Sequence, residues 1–192
     1  MAGTEKRQEI LAAALALIAE HGFHGTPIAA IACRAGVGAG TIYRYFANKD
    51  ILIRELFQDL HDRICSELRI GYLVDSPLAE RFLHLNSALL RYLIVHPPVF
   101  RFLEQYLNSP YGVDFRRGKL LGGGADNDLY RSLLEEGVAG GVVKDLPLVV
   151  LFALAFGPLL AVARDHILGF VCLDDALIGR TVRACWDGIR KE

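Results

Sequence analysis

The sequence predicts an all-α protein. Apolar residues recur along the chain at the three- and four-residue spacing of a helix face, and almost no stretch alternates apolar and polar residues as a half-buried strand does. Hydrophobic residues make up 53% of the 192 positions, which is ample material for a buried core. Glycines and prolines divide the pattern into segments of helical length. We therefore expect a globular chain built from helices and turns.

The N-terminal segment contains three predicted helices. Thr26 is a suitable N-cap for the second helix, and Pro27 suits its first position because the N–H that proline lacks has no helical partner there. Gly36 can adopt a positive φ in the turn that follows, and Val37 fills the gap between the second and third helices. We place these three helices at residues 4–20, 27–34 and 39–46.

The rest of the chain continues the helical pattern. Asn48 is a suitable cap for a fourth helix, and Asp50 in its first turn complements the positive end of the helix dipole. The apolar stripe of this helix continues past Cys65. Residues 111–125, with three glycines at 122–124, predict a flexible connection and lack the pattern of a phosphate-binding loop. After Pro77 we place helices at residues 78–95, 98–108, 126–139, 147–169 and 174–191.

The segment Thr26–Lys49 has the outline and the charge of an element that reads DNA. It combines a helix, a tight turn and a second helix, and it carries Arg34, Arg44 and Lys49 without any acidic residue. A helix-turn-helix of this kind lays its second helix in the major groove while neighbouring groups hold phosphates. The net charge of −1 excludes a protein that coats nucleic acid by charge alone. Any DNA binding must therefore be local to one face.

The same region resembles a known family. The run GFHGTPIAAIACRAGVGAGTIYRYFANKDILIRELF, within roughly residues 6–60, closely resembles the N-terminal domain of the TetR (tetracycline-repressor-like) family of bacterial transcription regulators. The resemblance implies an all-helical homodimer that binds a palindromic double-stranded DNA operator, with a helix-turn-helix DNA-binding domain at residues 1–49. It also implies a helical domain at residues 50–192 that binds a small-molecule effector and dimerises. The matching positions are Gly22-Phe23, Thr26, Ile31-Ala32, Ala35-Gly36-Val37, Gly40-Thr41-Ile42-Tyr43, Tyr45-Phe46, Lys49 and Leu52.

The resemblance assigns DNA contacts to side chains around the third helix. Thr26 and Lys49 match phosphate-binding positions, and Tyr43 and Tyr45 match groups that press on the DNA backbone. Arg44 is the best candidate for a guanine or phosphate contact. Taken singly, these side chains have plainer roles as a helix cap, packing aromatics and solvated charges. The predicted DNA-binding set is Thr26, Ala39, Gly40, Thr41, Tyr43, Arg44, Tyr45 and Lys49.

The start of the third helix departs from the family pattern. Relatives often carry Ser or Thr where this chain has Gly38, so the helix lacks a side-chain cap. Ala39 stands where relatives carry residues that reach base edges, and Gly40 lets the backbone approach the groove. Thr41 can hydrogen-bond a base or a phosphate, or give its methyl group to thymine. Direct base contacts are therefore sparse, and we expect sequence-dependent DNA shape to supply much of the specificity.

Aromatic residues of the C-terminal part are candidates for the wall of an apolar effector pocket between helices, because such pockets are rich in aromatic side chains. The alternative is that these residues only pack the core. We expect an unknown small apolar molecule to displace the fourth helix and so release the operator. The predicted ligand-binding set is Tyr92, Phe100, Phe102, Tyr106, Phe152 and Phe156.

The last two predicted helices resemble the pair that forms a four-helix bundle with the same pair of a second subunit. A palindromic operator also requires a dimer, since two recognition helices must reach successive major grooves. Residues 146–163 carry no charge, and this length reaches the lower limit for a membrane span. Pro147, Gly157 and the charged flanks favour a core or interface helix instead, so we predict no membrane partner. The residues expected to pack this pair are Leu154, Gly157, Leu160, Ala161, Ile178, Val182 and Trp186.

Several kinds of chemistry are not indicated. The four cysteines are far apart and lack zinc-ligand spacing, so we expect buried thiols in a reducing cytoplasm. His21 and His24 are three residues apart but lack a third ligand. The remaining acids and histidines form no catalytic motif, so we predict no enzyme, no metal and no cofactor. The first ten residues have no secretory signal pattern. A constitutive DNA-binding protein without an effector is the main alternative.

Overall fold

The computed structural model describes residues 2–121 and 128–192, and these residues form ten helices. The strand pairing within these ranges is a single antiparallel bridge between Val143 and Arg190. The all-α prediction is confirmed. The helices are α1 (Ala2–His21), α2 (Ile28–Arg34), α3 (Ala39–Tyr45), α4 (Lys49–Arg69), α5 (Leu78–Val95), α6 (Pro97–Leu107), α7 (Pro110–Leu121), α8 (Leu129–Ala139), α9 (Leu148–Ile167) and α10 (Asp175–Ile189).

The chain divides into two compact units. Unit 1 contains the residues up to Arg63 together with His96–Val113, and unit 2 contains Ile64–Val95 and Asp114–Glu192. Helices α4 and α7 therefore contribute residues to both units. These packing units are not the functional division at residue 49 that the sequence predicts, and that division stays a proposal.

The core of unit 1 forms where the apolar stripes of its helices meet. Ile10 and Ile18 of α1 are fully buried, as are Ile31 of α2 and Ile42 of α3. Within each helix the buried positions recur at helical spacing, which gives one apolar face per helix. The three N-terminal helices are thus held by side chains that the sequence pattern identifies.

Helix α6 completes unit 1. Its residues Phe100, Phe102 and Tyr106 are almost fully buried there. The Gln105 side-chain amide donates a hydrogen bond of 3.0 Å to the carbonyl of Ile18, which lies in the last turn of α1. The same carbonyl also accepts from the Gly22 amide at 2.9 Å, so the Gln105 bond uses the second lone pair of that oxygen. A segment distant in sequence therefore belongs to the same core as the N-terminal helices.

Unit 2 is built around α5. Phe82 of α5 packs against Trp186 of α10 with ring centroids 5.2 Å apart, and Arg81 forms an ion pair with Glu136 of α8. The Tyr130 hydroxyl of α8 donates to the carbonyl of Leu85 at 3.0 Å, and burial raises the pKa of Tyr130 well above its ordinary value. The α10 side chains expected to form an apolar face, Ile178, Val182 and Trp186, are buried inside unit 2.

Helix α9 exposes an unusual amount of apolar surface. The mean hydropathy of its most apolar 18-residue stretch is 1.9, and only 22% of that stretch is buried. By length and composition the helix could cross a membrane. Leu151, Ala155 and Leu159 face the core of unit 2. The side chains of Val150 and Leu154 are exposed on another side, in line with Gly157 and Ala161. This exposed row is called the α9 stripe below (Val150, Leu154, Gly157 and Ala161).

Two expectations are wrong. Residues 110–121 form α7 instead of a flexible connection, with Pro110 at the helix start, where its missing N–H is harmless. Glycines 122–124 lie outside the described residues. Among the thiols only Cys185 is buried, whereas Cys33 and Cys172 are exposed and Cys65 is half-buried. Cys33 lies on the side of α2 opposite Ile31, and Cys172 lies in the connection between α9 and α10.

Candidate nucleic-acid interface

The turn between α2 and α3 has the geometry that the sequence predicts. Gly36 has a φ of 62°, a conformation that residues with a Cβ rarely adopt. The Val37 amide donates to the carbonyl of Ala32 at 3.0 Å and so closes the end of α2. The turn fixes the direction in which α3 leaves α2.

Helix α3 is anchored on one side and exposed on the other. Ile42 and Phe46, four residues apart, are fully buried. The opposite side carries exposed residues, among which the side chain of Tyr43 is 54% exposed. We call this side the outer face; it consists of Ala39, Gly40, Tyr43 and Arg44. Four of the eight predicted DNA-binding residues therefore lie together on one uncovered surface.

The start of α3 is bare backbone. Gly38 is the N-cap, with φ −73° and ψ 149°, and no side chain caps the helix, as the sequence predicts. A Cβ added at Gly38 or Gly40 meets no heavy atom within 4 Å, and neither residue has a positive φ. Nothing inside the chain therefore requires glycine at position 40. Its absence of a side chain instead opens space on the outer face.

Two arginines of the segment Thr26–Lys49 have no acidic partner. The Arg44 guanidinium lies 5.2 Å from the centre of the Tyr45 ring, and Arg34 is exposed at the end of α2. By contrast, Arg7 pairs with Glu55 at 2.6 Å. Among the residues that the structure describes, neither Arg34 nor Arg44 pairs with a carboxylate. Both cations therefore remain available to an external anion.

Lys49 is held at the start of α4. Its ammonium donates a hydrogen bond of 2.5 Å to the carbonyl of Phe23, in the connection between α1 and α2. An ammonium has three N–H donors, so further donors remain for a phosphate. The Asn48 side chain accepts from the Ile51 amide at 2.9 Å, which confirms the predicted cap of α4. Thr41 and Tyr45 are half-buried beside the outer face.

Thr26 does not cap α2. Its side chain is 1% exposed, and its hydroxyl donates to the carbonyl of Gly22 at 2.8 Å. The N-cap of α2 is Pro27, without a side-chain hydrogen bond. The predicted cap is wrong because the hydroxyl bonds backward to the end of α1. A phosphate contact by Thr26 stays a prediction, and its hydroxyl is already engaged within the chain.

The six predicted effector residues lie in two groups. Phe100, Phe102 and Tyr106 belong to the core of unit 1, where Tyr106 stacks on Phe57 at 3.9 Å. The other three are half-buried in unit 2, and Phe156 packs at 4.5 Å against Tyr130. An open depression of about 260 Å³ between α8 and α9 is lined by none of the six. The second group is Tyr92, Phe152 and Phe156.

Sequence reasoning missed the contacts of Phe23 and Tyr111. Phe23 packs edge-on against Phe102 and Tyr111, with centroid distances of 6.0 and 5.7 Å. The four-residue spacing of Phe102 and Tyr106 predicts one aromatic face on α6 but not its partner, which lies far away in sequence. In residues 2–121 and 128–192 no group of three His, Cys, Asp or Glu side chains is close enough to hold a metal ion.

Family models match both parts of the chain. The model described as bacterial regulatory proteins, tetR family, matches residues 10–56. The model described as tetracyclin repressor-like, C-terminal domain, matches residues 77–190. The first match covers α2, α3 and the turn between them, together with parts of the helices on either side. The second covers more than half of the chain.

Several proteins that resemble this chain in sequence or in fold are described as transcription regulators. A solved TetR family structure from Vibrio parahaemolyticus is 35% identical, covers 97% of this chain and 100% of its own, and has a TM-score of 0.76. The uncharacterized HTH-type transcriptional regulator YdgC of Bacillus subtilis (strain 168) is 31% identical over 103 residues, which span 54% of this chain and 50% of that protein. The fold also resembles that of the regulator FadR from Bacillus subtilis in complex with stearoyl-CoA, at 22% identity, a TM-score of 0.76 and coverage of 95% and 98%.

Proposed function

Because the chain belongs to the TetR family of bacterial transcription regulators, we propose that it binds a palindromic operator as a homodimer and represses transcription until a small apolar effector releases it. The observation that carries this proposal is the outer face of α3. Ile42 and Phe46 fix the helix from behind, while a side free of acidic residues faces outward. This arrangement suits a helix that enters the major groove.

The proposed contacts divide into positioning and reading. Lys49, Tyr43 and Tyr45 set the register of the protein on the phosphate backbone, and such contacts carry no sequence information. Arg44 is the side chain that reads a base, because a guanidinium can donate two bonds to one guanine. Gly40 brings the backbone close to the groove. With so few side chains facing the bases, DNA shape supplies the remaining specificity.

The proposed dimer forms through α9 and α10. The α9 stripe is apolar and exposed in the single chain, and a second copy related by two-fold symmetry would cover it with the same stripe. Small residues at Gly157 and Ala161 allow close helix approach. Since the operator is bacterial chromosomal DNA, we place the protein in the cytoplasm. The apolar surface of α9 is then an interface between subunits and not a membrane span.

The proposed effector binds in unit 2. Phe152 and Phe156 are half-buried neighbours with centroids 5.3 Å apart, and the hydroxyl of the adjacent Tyr130 is already bonded to the backbone. This surface therefore offers ring faces and favours an apolar ligand. FadR of Bacillus subtilis binds stearoyl-CoA, which makes a long acyl chain a reasonable first probe. Each tenfold loss of operator affinity requires that the effector prefer the released state by about 1.4 kcal/mol.

The test is titration of the purified protein on DNA that flanks its own gene and on random DNA, at several salt concentrations. Lys49→Ala should weaken binding equally on both DNAs and reduce the salt dependence, because it removes a phosphate contact. Arg44→Ala should weaken operator binding more and alter base preference, by about 1–3 kcal/mol of discrimination. Arg91→Ala is the charge-matched control, since Arg91 pairs with Asp175 in unit 2.

Three outcomes contradict parts of the proposal. Equal loss on operator and random DNA for both variants removes the reading role of Arg44. No binding to any duplex removes the DNA-binding function itself. If neither stearoyl-CoA nor other long-chain apolar ligands change operator affinity at fixed salt, the protein is a constitutive DNA binder, and the proposed effector response is wrong.

A further inference from the structure

Tyr111, at the start of α7, contacts the two residues next to the Lys49 side chain, Asp50 and Phe23. The Tyr111 hydroxyl donates to the Asp50 carboxylate at 2.6 Å, and Asp50 follows Lys49 in the chain. The Tyr111 ring also packs edge-on against Phe23 at 5.7 Å, and the carbonyl of Phe23 accepts the bond from the Lys49 ammonium. All four residues belong to unit 1.

The ring of Tyr111 is fixed on several sides. It stacks near Tyr106 at a centroid distance of 5.8 Å, and the Arg54 guanidinium lies 5.3 Å from its centre. Burial, followed by the bond to Asp50, raises the pKa of Tyr111 to about 12. The phenol therefore keeps its proton at neutral pH and remains a hydrogen-bond donor to the carboxylate.

We propose that Tyr111 is a positioning residue for DNA binding, which holds the first turn of α4 and the Phe23 carbonyl so that the Lys49 ammonium stays directed toward a phosphate. The inference rests on the proposed function. Lysine has a long and flexible side chain, and its contribution to affinity depends on how much freedom is lost when it binds. A lysine side chain that is already held in place before DNA binds loses less conformational freedom on binding.

The experiment is a double-mutant cycle on operator affinity with Tyr111→Phe and Lys49→Ala in the full-length protein. Tyr111→Phe keeps the ring and removes only the hydroxyl, so it should weaken operator and random DNA alike by about threefold, the range expected for one hydrogen bond. In the Lys49→Ala background, Tyr111→Phe should have no further effect, because the group that it positions is gone. Tyr72→Phe is the control, since it also removes one hydroxyl, from a tyrosine whose ring packs against His84 in unit 2.

The outcomes separate this inference from the proposed function. Absence of operator binding by the unaltered protein overturns both. Normal operator binding with a Tyr111→Phe effect that is absent, or that is the same with and without Lys49, overturns only the positioning role. If Tyr111→Phe lowers the melting temperature too far for binding assays, Asp50→Ala removes the same bond from the other side. The same non-additivity with Lys49→Ala is expected there, and additive effects would contradict the inference.

Discussion

Gly40 offers a test in which stability and DNA binding should change in opposite directions. The residue lies within the first turn of α3, has no positive φ, and has open space where a Cβ would lie. Glycine in a helix is less favourable than alanine by about 0.5–1 kcal/mol, because the unfolded chain gains more freedom from it. Gly40→Ala should therefore raise the free energy of unfolding by about that amount.

The same methyl group should impair operator binding. Gly40 lies on the outer face, and a DNA groove that approaches its backbone closely leaves no room for a Cβ. An extra methyl in a well-packed contact costs about 1–3 kcal/mol, which corresponds to roughly a 5- to 150-fold loss of affinity. Gly118→Ala is the matched control. Gly118 is inside α7, is exposed, and also has nothing within 4 Å of an added Cβ.

The measurements are urea unfolding followed by circular dichroism and operator titration by fluorescence anisotropy. Both variants should unfold at higher urea concentration, and only Gly40→Ala should bind the operator more weakly. A stabilised Gly40→Ala protein with unchanged operator affinity would falsify the close approach of DNA to the outer face. A destabilised Gly40→Ala protein would contradict the open space that the structure shows around a Cβ at position 40.

Two further predictions concern unit 2 and the thiols. Leu154→Asp should lower the mass measured by light scattering from that of a dimer to that of one chain, because burying an unpaired carboxylate in the subunit interface is unfavourable. Val95→Asp is the control: it places the same charge at an exposed apolar residue of α5 and should leave the mass unchanged. In the folded protein a thiol reagent should label Cys33 and Cys172, which are exposed, and should reach Cys185 only on unfolding, since burial raises the pKa of Cys185 and keeps it a neutral thiol. Peptide mapping of the labelled sites checks the second prediction, and rapid labelling of Cys185 would contradict it.

The sequence predicts most helices because each buries a continuous apolar stripe and begins or ends at a recognisable signal. The helix at Leu78–Val95 has the predicted bounds, and Asn48 caps α4 as expected. Thr26 shows the limit of such reasoning. A threonine before a proline fits a cap, but the Thr26 hydroxyl donates to the Gly22 carbonyl and accepts no bond from an amide of α2. Local rules identify which groups can bond and not which of two local partners is preferred.

Long-range packing is where sequence reasoning was weakest. The three aromatic side chains of α6 that are predicted to contact an effector lie in the core of unit 1, and that contact stays a prediction. Tyr111 fell in a segment predicted to be flexible, although it lies in α7 and bonds Asp50. Apolar spacing shows that a residue has a partner but not where in the chain the partner lies. The outer face of α3 could be predicted because all of its determinants lie within about ten residues.

The charge distribution indicates how such a protein recognises DNA. The whole chain has a net charge of −1, and several cations of unit 1 are neutralised, as Arg7 is by Glu55. Arg34, Arg44 and Lys49 remain in a segment without acids, so the two chains of the proposed dimer would offer about six cations to the duplex. If each met a phosphate, the logarithm of the binding constant would fall with that of salt concentration with a slope of about −5. Because the net charge of the chain is close to zero, long-range electrostatic attraction of the whole protein to DNA is weak. The fit of the outer face to the groove must therefore supply the selectivity.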